Sequence, residues 1–335
     1  MSCSLQTLFA RDERWQLINR LSQEAPSLTR LGTSHSGQVL DVLAGLPERE
    51  TTTPTVHELP RLTYEAAGGD GHQVMPVMAA WQVVLMAVKL FDDVEDGDAD
   101  GHPGEIINLA MGLLFVAQVA LEELPACGVS SDVPRRLRQA LNRAMPRACA
   151  GQHADLAAAR RGVLTVDPDG WLEIAGAKSG ELLAWAAWAG AFMAGASEGT
   201  LSGYHKYGYT LGVLLQVADD FNGVWHPNGA GDLATGCLTL PVCYALHVAT
   251  GEKRTHLVGL LAQATQGDQV AEAQARQALI ELGAPVYLLA VGYVQYQQAL
   301  AAILGANGRA PASQQLLVLL ERVLPALQTV CRMES

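Results

Sequence analysis

The sequence predicts an all-α protein. Long Ala- and Leu-rich stretches recur along the 335 residues, and short Gly, Pro and Asp breaks separate them. The period-2 alternation of strands is almost absent and β-branched clusters are rare. Ala and Leu are among the strongest helix formers, so propensity and pattern agree.

Helices are expected near 5–24, 58–67, 72–96, 105–124, 131–159, 168–194, 199–224, 237–250, 253–264, 268–282, 285–304 and 312–332. Breaks fall at Gly68 to Gly71, Gly97 to Gly104, Pro125 to Pro134, Val166 to Gly170 and Trp225 to Gly231. Residues 32–56, with Pro47, Thr51 to Thr53 and Pro54, are the candidate irregular stretch. No linker is long or polar enough to separate domains and no short repeat is visible, so one helical domain over 1–335 is the economical reading.

Composition narrows the function. Hydrophobic residues make up 49% and charged residues 17%, enough for a large core and unlike a disordered chain. A net charge of −12 argues against nucleic acid or an anionic membrane surface as partner. An acidic protein that handles a phosphate ester needs metal cations to offset that repulsion. Six scattered cysteines without a CxxC pair point to reduced thiols rather than zinc or redox chemistry. The N-terminus becomes charged too early for a signal-peptide core. The uncharged run Leu182 to Ser197 falls short of the roughly 20 residues that span a bilayer. A cytoplasmic protein with no stable membrane insertion is expected.

Two acidic clusters stand out. The segment PVMAAWQVVLMAVKLFDDVED places Asp92, Asp93 and Asp96 at the end of an apolar helix, at spacings that share one face. Like charges so placed destabilise a helix unless a cation compensates them, and Mg²⁺ takes carboxylate, water and phosphate oxygens. A solvated acidic helix end is the competing reading for this cluster alone. A second long apolar helix, GYTLGVLLQVADD, delivers Asp219 and Asp220, with Gln216 three and four residues earlier on the same face. Carboxylates on facing helices are how bundles build metal sites. Between the clusters, Lys178 precedes a long uncharged stretch; it is either a snorkelling surface lysine or a diphosphate clamp. Gln152 and Asp155 lie three apart in GQHADL.

Together these segments resemble the trans-isoprenyl diphosphate synthase (polyprenyl synthetase) family over roughly 58–300. DDVED at 92–96 resembles the DDxxD motif, GQHADL at 151–156 the GQxxDL segment, and AKSGELL the KTGxLF segment. LGVLLQVADD resembles GxxFQxxDD, and GDLATGCLTLPVCYAL at 231–246 a D-L-x-x-G-K-x-T-L-P-x-x-x-A-L run. The resemblance implies a single-domain helical bundle of isoprenoid-synthase type around a deep central cavity, commonly homodimeric. It implies Asp92, Asp93, Asp96, Asp219 and Asp220 as ligands of a three-ion Mg²⁺ cluster. Lys178 and Gln216 would contact the diphosphate of a prenyl substrate, with Gln152 and Asp155 in support. Ala87 and Val88, five and four residues before the DDxxD motif, stand where the family places chain-length residues; their small size implies room for C20 or longer.

The chain departs from the family where a second anion, isopentenyl diphosphate, binds. Gly-Lys-x-x-Arg is missing ahead of the first motif, leaving Arg61 as the basic candidate besides His57. Arg-Arg-Gly after that motif is replaced by residues 98–104, Cys237 replaces a lysine, and Gly223 replaces the third aspartate of the second motif, with Asn222 beside it. Charge-assisted contacts to phosphate are the strong ones. The sequence is therefore read as a class I terpene synthase on this scaffold, ionising a C15–C20 or longer prenyl diphosphate. The alternatives are a chain-elongating, geranylgeranyl-type synthase and a non-catalytic subunit of a heteromeric synthase. A di-iron bundle needs Glu-x-x-His pairs, and none occurs.

Overall fold

A computed structural model describes residues 54–97, 99, 101–161, 166–226 and 231–323, with the side chains of Arg160 and Arg161 excepted. The expected helix 5–24, nearly all of segment 32–56 and the end of helix 312–332 lie outside the described residues. Among those described there is no strand. The helices are α1 (Leu59–Ala66), α2 (Met75–Asp96), α3 (Pro103–Glu122), α4 (Asp132–Arg161), α5 (Pro168–Ala175), α6 (Glu181–Met193) and α7 (Glu198–Trp225). They continue with α8 (Asp232–Thr235), α9 (Leu240–Val248), α10 (Gly251–Ala264), α11 (Gln269–Glu281), α12 (Ala284–Gly305) and α13 (Ala312–Glu321).

The described residues divide into two compact units: those within 54–140, 188–198 and 308–316 form the first, and those within 141–187, 199–307 and 317–323 the second. The boundaries at 140/141, 187/188 and 316/317 fall inside α4, α6 and α13, so no linker separates them.

In the first unit, α2 is the central apolar rod. Val77, Ala80, Trp81, Val84 and Ala87 are fully buried along it, and α1 adds Leu59 and Leu62. The Trp81 indole N–H donates to the Val56 carbonyl at 2.8 Å, which satisfies the one polar atom of a fully buried ring. Trp81 is thus a core residue. α2 packs chiefly on α3. α3 starts at His102, whose Nδ1 accepts the Gly104 N–H at 3.2 Å, and Pro103 occupies the first helical position. Its covered face holds Ala110, Leu113, Ala117 and Leu121. Its other face exposes Ile107, Met111, Phe115 and Val119, spaced four residues apart.

That composition matters for the membrane question. His72–Asp96 and Pro103–Cys127 are both long and apolar enough to cross a bilayer, which the sequence reading, centred on 182–197, passed over. The apolar window in the first is 72% buried within the protein and that in the second 39%. Protein, not lipid, covers most of α2.

The second unit is held by an apolar cluster in which Val242, Ala245 and Leu246 of α9 meet Leu257 and Leu260 of α10. Ala271, Ala275 and Leu279 of α11 complete it, with Val224 at the end of α7. Tyr244 and Tyr287 stack with ring centroids 4.1 Å apart and join α9 to α12. Arg276 Nε donates to the Val224 carbonyl at 2.6 Å, tying α11 to the last turn of α7. At the start of α11 the Asp268 side chain accepts the Val270 and Ala271 N–H groups.

The expected helices are present wherever the residues are described, with three differences. Pro146 sits inside α4 without ending it. The short α8 forms between the expected break, which ends at Gly231, and the expected helix 237–250. The expected helix 168–194 is interrupted by a π-helical turn, Gly176–Gly180, between α5 and α6.

Leu257 is fully buried in the second unit's cluster. Leu257→Ala should lower the free energy of urea unfolding by about 2–5 kcal/mol. Val270→Ala, at a 66% exposed position, should stay within about 0.5 kcal/mol of the parent.

Candidate functional site

The first aspartate cluster lies in the first unit, at the C-terminus of α2. Gly97 closes the helix at φ 81°, its N–H bonded to the Asp93 carbonyl. Asp92 and Asp93 are half-buried and Asp96 is exposed. Three carboxylates there face the negative end of the helix dipole, an arrangement that a cation relieves. Lys89 supplies part of that relief through an ion pair with Asp93, one turn on. Ala87 is fully buried and Val88 half-buried.

Arg61, the basic residue that the sequence leaves for a second anion, is engaged elsewhere. Its guanidinium bonds Glu58 at 2.7 Å and both carboxylate oxygens of Glu65 at 2.9 and 3.0 Å. Its charge is neutralised within α1 and the turn before it.

The second unit gathers more of the sequence-expected residues than the motifs alone reveal. The π turn is the hub. A Cβ on Gly151 would collide with the Lys178 backbone nitrogen and come within 2.9 Å of Ala177, so glycine lets α4 run against this turn. One helical turn further along α4, Asp155 accepts from Lys178 Nζ at 2.9 Å. Both side chains keep 24% of their surface exposed. Lys178 is therefore neither snorkelling alone nor buried without a counter-charge. Gln152 lies on the same stretch of α4, half-buried.

On the other side of the turn stands α7. Ser179 donates its hydroxyl to Gln216 Oε1 at 3.1 Å, and the Gln216 amide also hydrogen-bonds the Asp220 carboxylate one turn later. Asp220 is only 4% exposed and its Oδ2 accepts the Leu240 N–H at 2.6 Å, at the first residue of α9. Burial pushes the Asp220 carboxyl well above the usual range. The Leu240 N–H and Gln216 pull it back, while nearby Asp232 and Asp155 push it further up. The two adjacent aspartates differ, because Asp219 is exposed. Burial, then Asp220 and Asp155, also raise the Cys243 thiol, which keeps it inert.

Gly223, where the sequence lacks a third aspartate, is filled from elsewhere. A Cβ there would collide with Oδ2 of Asp232 and sit 2.7 Å from its Oδ1. The carboxylate of Asp232 thus lies in the space that a side chain at 223 would take. Asn222, the neighbour expected to compensate, is not the group found there. Sequence reasoning also missed Ser179 and Tyr209. The signal for Ser179 was its place beside Lys178; for Asp232 it was the acid opening the 231–246 motif. Cys237, in place of a lysine, has its sulfur 3.1 Å from the Thr235 hydroxyl.

The donor set is all oxygen and carboxylate-rich, with an acid whose burial disfavours its charge; this suits a hard divalent ion such as Mg²⁺. Among the described residues no three His, Cys, Asp or Glu side chains converge closely enough to hold a metal by themselves. That fits an ion that takes one or two carboxylates and completes its shell with water and phosphate. A cavity of about 200 Å³ in the second unit is lined by Leu172, Ala290, Val291, Val294 and Gln295. It carries no charge that could hold a metal or phosphate.

The polyprenyl synthetase family profile matches residues 59–278. Geranylgeranyl diphosphate synthase of Mycobacterium tuberculosis is 31% identical over 214 residues, 59% of this chain and 60% of that protein. The chain thus spans less than two thirds of that relative. The short chain isoprenyl diphosphate synthase of Methanothermobacter thermautotrophicus is 29% identical over 245 residues, 69% of this chain and 73% of that one. Among solved structures, a polyprenyl synthetase from Streptomyces coelicolor superimposes with a TM-score of 0.72 at 25% identity, covering 92% of this chain and 98% of that one.

Proposed function

This chain belongs to the polyprenyl synthetase family, and we propose that it is a Mg²⁺-dependent prenyltransferase that lengthens an allylic prenyl diphosphate with isopentenyl diphosphate. The observation that carries the reading is that Lys178 and Ser179 of one π turn are held by Asp155 and Gln216, with the buried Asp220 one helical turn beyond Gln216, in a chain of this family. The relatives that support elongation over cyclisation are both named as prenyl diphosphate synthases. The terpene-synthase expectation therefore yields first place to its alternative.

In this reading Asp92, Asp93 and Asp96 on one helix are Mg²⁺ ligands, as are Asp219 and Asp220 on another, and the diphosphate takes three such ions. When bound, those ions neutralise the diphosphate and stabilise its departure. Lys178 and Ser179 orient the diphosphate, Asp155 and Gln216 orient Lys178 and Ser179, and Gln152 supports the same turn. Asp232 takes the third-carboxylate role that Gly223 lacks. Ala87 and Val88 set the depth available to the growing chain.

A specific observation keeps the cyclase reading as a second one. Arg61 is bound by Glu58 and Glu65, and Cys237 carries no charge, so two positions that would attract a second anion are neutral. Incubation with Mg²⁺ and farnesyl or geranylgeranyl diphosphate, with and without isopentenyl diphosphate, separates the two. Elongation predicts a longer diphosphate formed only when isopentenyl diphosphate is present, and loss of about a hundredfold or more in Asp92→Asn, on the scale of removing one transition-state charge contact. A hydrocarbon or terpene alcohol formed without isopentenyl diphosphate would reverse the choice.

The Asp232 assignment has its own readout. Asp232→Asn should weaken Mn²⁺ binding, followed by the loss of its free-ion electron paramagnetic resonance signal in the presence of inorganic diphosphate. Transplanting the acid, as Gly223→Asp combined with Asp232→Gly, should restore it. Failure of both to change binding would assign Asp232 to packing alone.

The partner proposed for α3 is a second copy of this chain, giving a soluble, cytoplasmic homodimer. The exposed Ile107, Met111, Phe115 and Val119 stripe is apolar, regular and opposite the face covered by α2. The net charge of −12 disfavours an anionic bilayer as the alternative cover. Phe115→Glu should convert a dimer to a monomer in light scattering; a parent protein that sediments with phosphatidylcholine vesicles instead would point to a membrane face.

A further inference from the structure

Tyr209 has no place in the motifs, yet it touches the residues on which the proposed site depends. It lies on α7 at 209, in register with Gly212, Gln216 and Asp220 at spacings of three, four and four, so all four share one helical face. That face meets the π turn. A Cβ on Gly176 would collide with the Tyr209 hydroxyl oxygen and lie 2.7 Å from its Cζ. One on Gly180 would lie 3.0 and 3.1 Å from Cδ2 and Cε2 of the same ring. The two glycines that bracket the turn therefore form a cradle, and the Tyr209 ring is what occupies it. The next face residue, Gly212, lies equally close, with a Cβ there 2.7 Å from the Ser179 carbonyl oxygen.

A single π turn inside an α-helix widens the backbone locally, and such turns are found at functional sites, since the regular hydrogen bonding that would hold the turn is given up. Gly176 and Gly180 also lower the intrinsic helix preference of the segment. Something outside the turn must then hold it. Asp155 holds the Lys178 ammonium and Gln216 the Ser179 hydroxyl, but both act at side-chain tips. The ring of Tyr209 is the contact that bears on the backbone at both ends of the turn.

We infer that Tyr209 is a positioning residue: its ring, packed against Gly176 and Gly180, fixes the π turn so that Lys178 and Ser179 point together at the diphosphate. The inference rests on the proposed function, and it assigns the work to the ring rather than to the hydroxyl. Burial and the neighbouring Glu181 and Glu173 keep the phenol protonated, so no proton transfer is ascribed to it.

The test is Mg²⁺-dependent binding of inorganic diphosphate measured by calorimetry on the full chain. Tyr209→Phe should bind within about twofold of the parent, whereas Tyr209→Ala should lose roughly tenfold or more, the scale expected of a displaced contact group. Gly176→Ala, which pushes the ring away from the other side, should reproduce the loss. Combining Tyr209→Ala with Lys178→Ala should add nothing beyond Lys178→Ala, because one residue acts through the other. Should the alanine variant not fold, Tyr209→Leu takes its place, keeping apolar bulk without a planar ring. Losses that multiply, or a Tyr209→Ala protein that binds like the parent while Lys178→Ala does not, would overturn the inference alone. A Lys178→Ala protein with unchanged binding would overturn the diphosphate reading and this inference with it.

Discussion

The second unit depends on a buried carboxylate. Asp220 is almost entirely removed from water, and a carboxylate in that position is costly unless hydrogen bonds and positive potential accompany it. The chain provides both locally. The Leu240 N–H points at Asp220 from the first residue of α9, where the helix dipole is positive, and the Gln216 amide reaches it from one turn back. These bonds fix the end of α7, the start of α9 and, through Gln216 and Ser179, the π turn that carries Lys178. A single acid thus couples three segments separated by about sixty residues in sequence. Burial, and then Asp232 and Asp155, still disfavour its charge, which makes a compensating divalent ion more favourable rather than less.

Helix type and extent were legible because propensity, periodicity and Gly/Pro punctuation agree over long segments, as α2 and α7 illustrate. The motif residues in α4, the π turn and α7 were legible as a group because their order along the chain is specific. What the sequence could not show were contacts that depend on close backbone approach. The stretch 168–194 has an unbroken helical pattern, since a π turn inserts one residue without changing composition, and only its backbone reveals it. Likewise Tyr209 reads as one more aromatic residue in an apolar helix until the glycines opposite it are located. The fate of Arg61 was hidden for a different reason. Glu58 and Glu65 sit at i−3 and i+4, so a helix brings both to it, but a sequence does not say whether a salt bridge or a ligand takes the guanidinium.

Charge distribution separates the two chemistries that this scaffold can serve. Ionising one allylic diphosphate needs carboxylates for metal and at least one ammonium near the leaving group, and the described residues include both kinds. Holding a second diphosphate needs further cations, and here Arg61 is balanced by two glutamates while Cys237 faces Thr235. Under the proposed elongation, the cations for the second anion would come from positions outside the familiar motifs. A weak second-anion site would appear as a high KM for isopentenyl diphosphate with the allylic step intact, because uniform binding is lost while the interactions of the departing diphosphate are kept.

The space beside Gly223 shows how one carboxylate can fill the position that a neighbouring side chain would take. A metal site requires oxygen atoms at given points, not a given order of residues. An aspartate at 223 and one at 232 compete for the same volume, because a Cβ at 223 would overlap the carboxylate of Asp232. Glycine at 223 removes the competition, and the short helix α8 (Asp232–Thr235), opening with Asp232 after the αL residue Gly231, sets the direction from which that acid arrives. Read as a string, the second motif has lost an acid. In three dimensions a carboxylate stands beside that position all the same, and under the proposed function positive charge supplied to Asp232 and the buried Asp220 offsets the cost of placing them together.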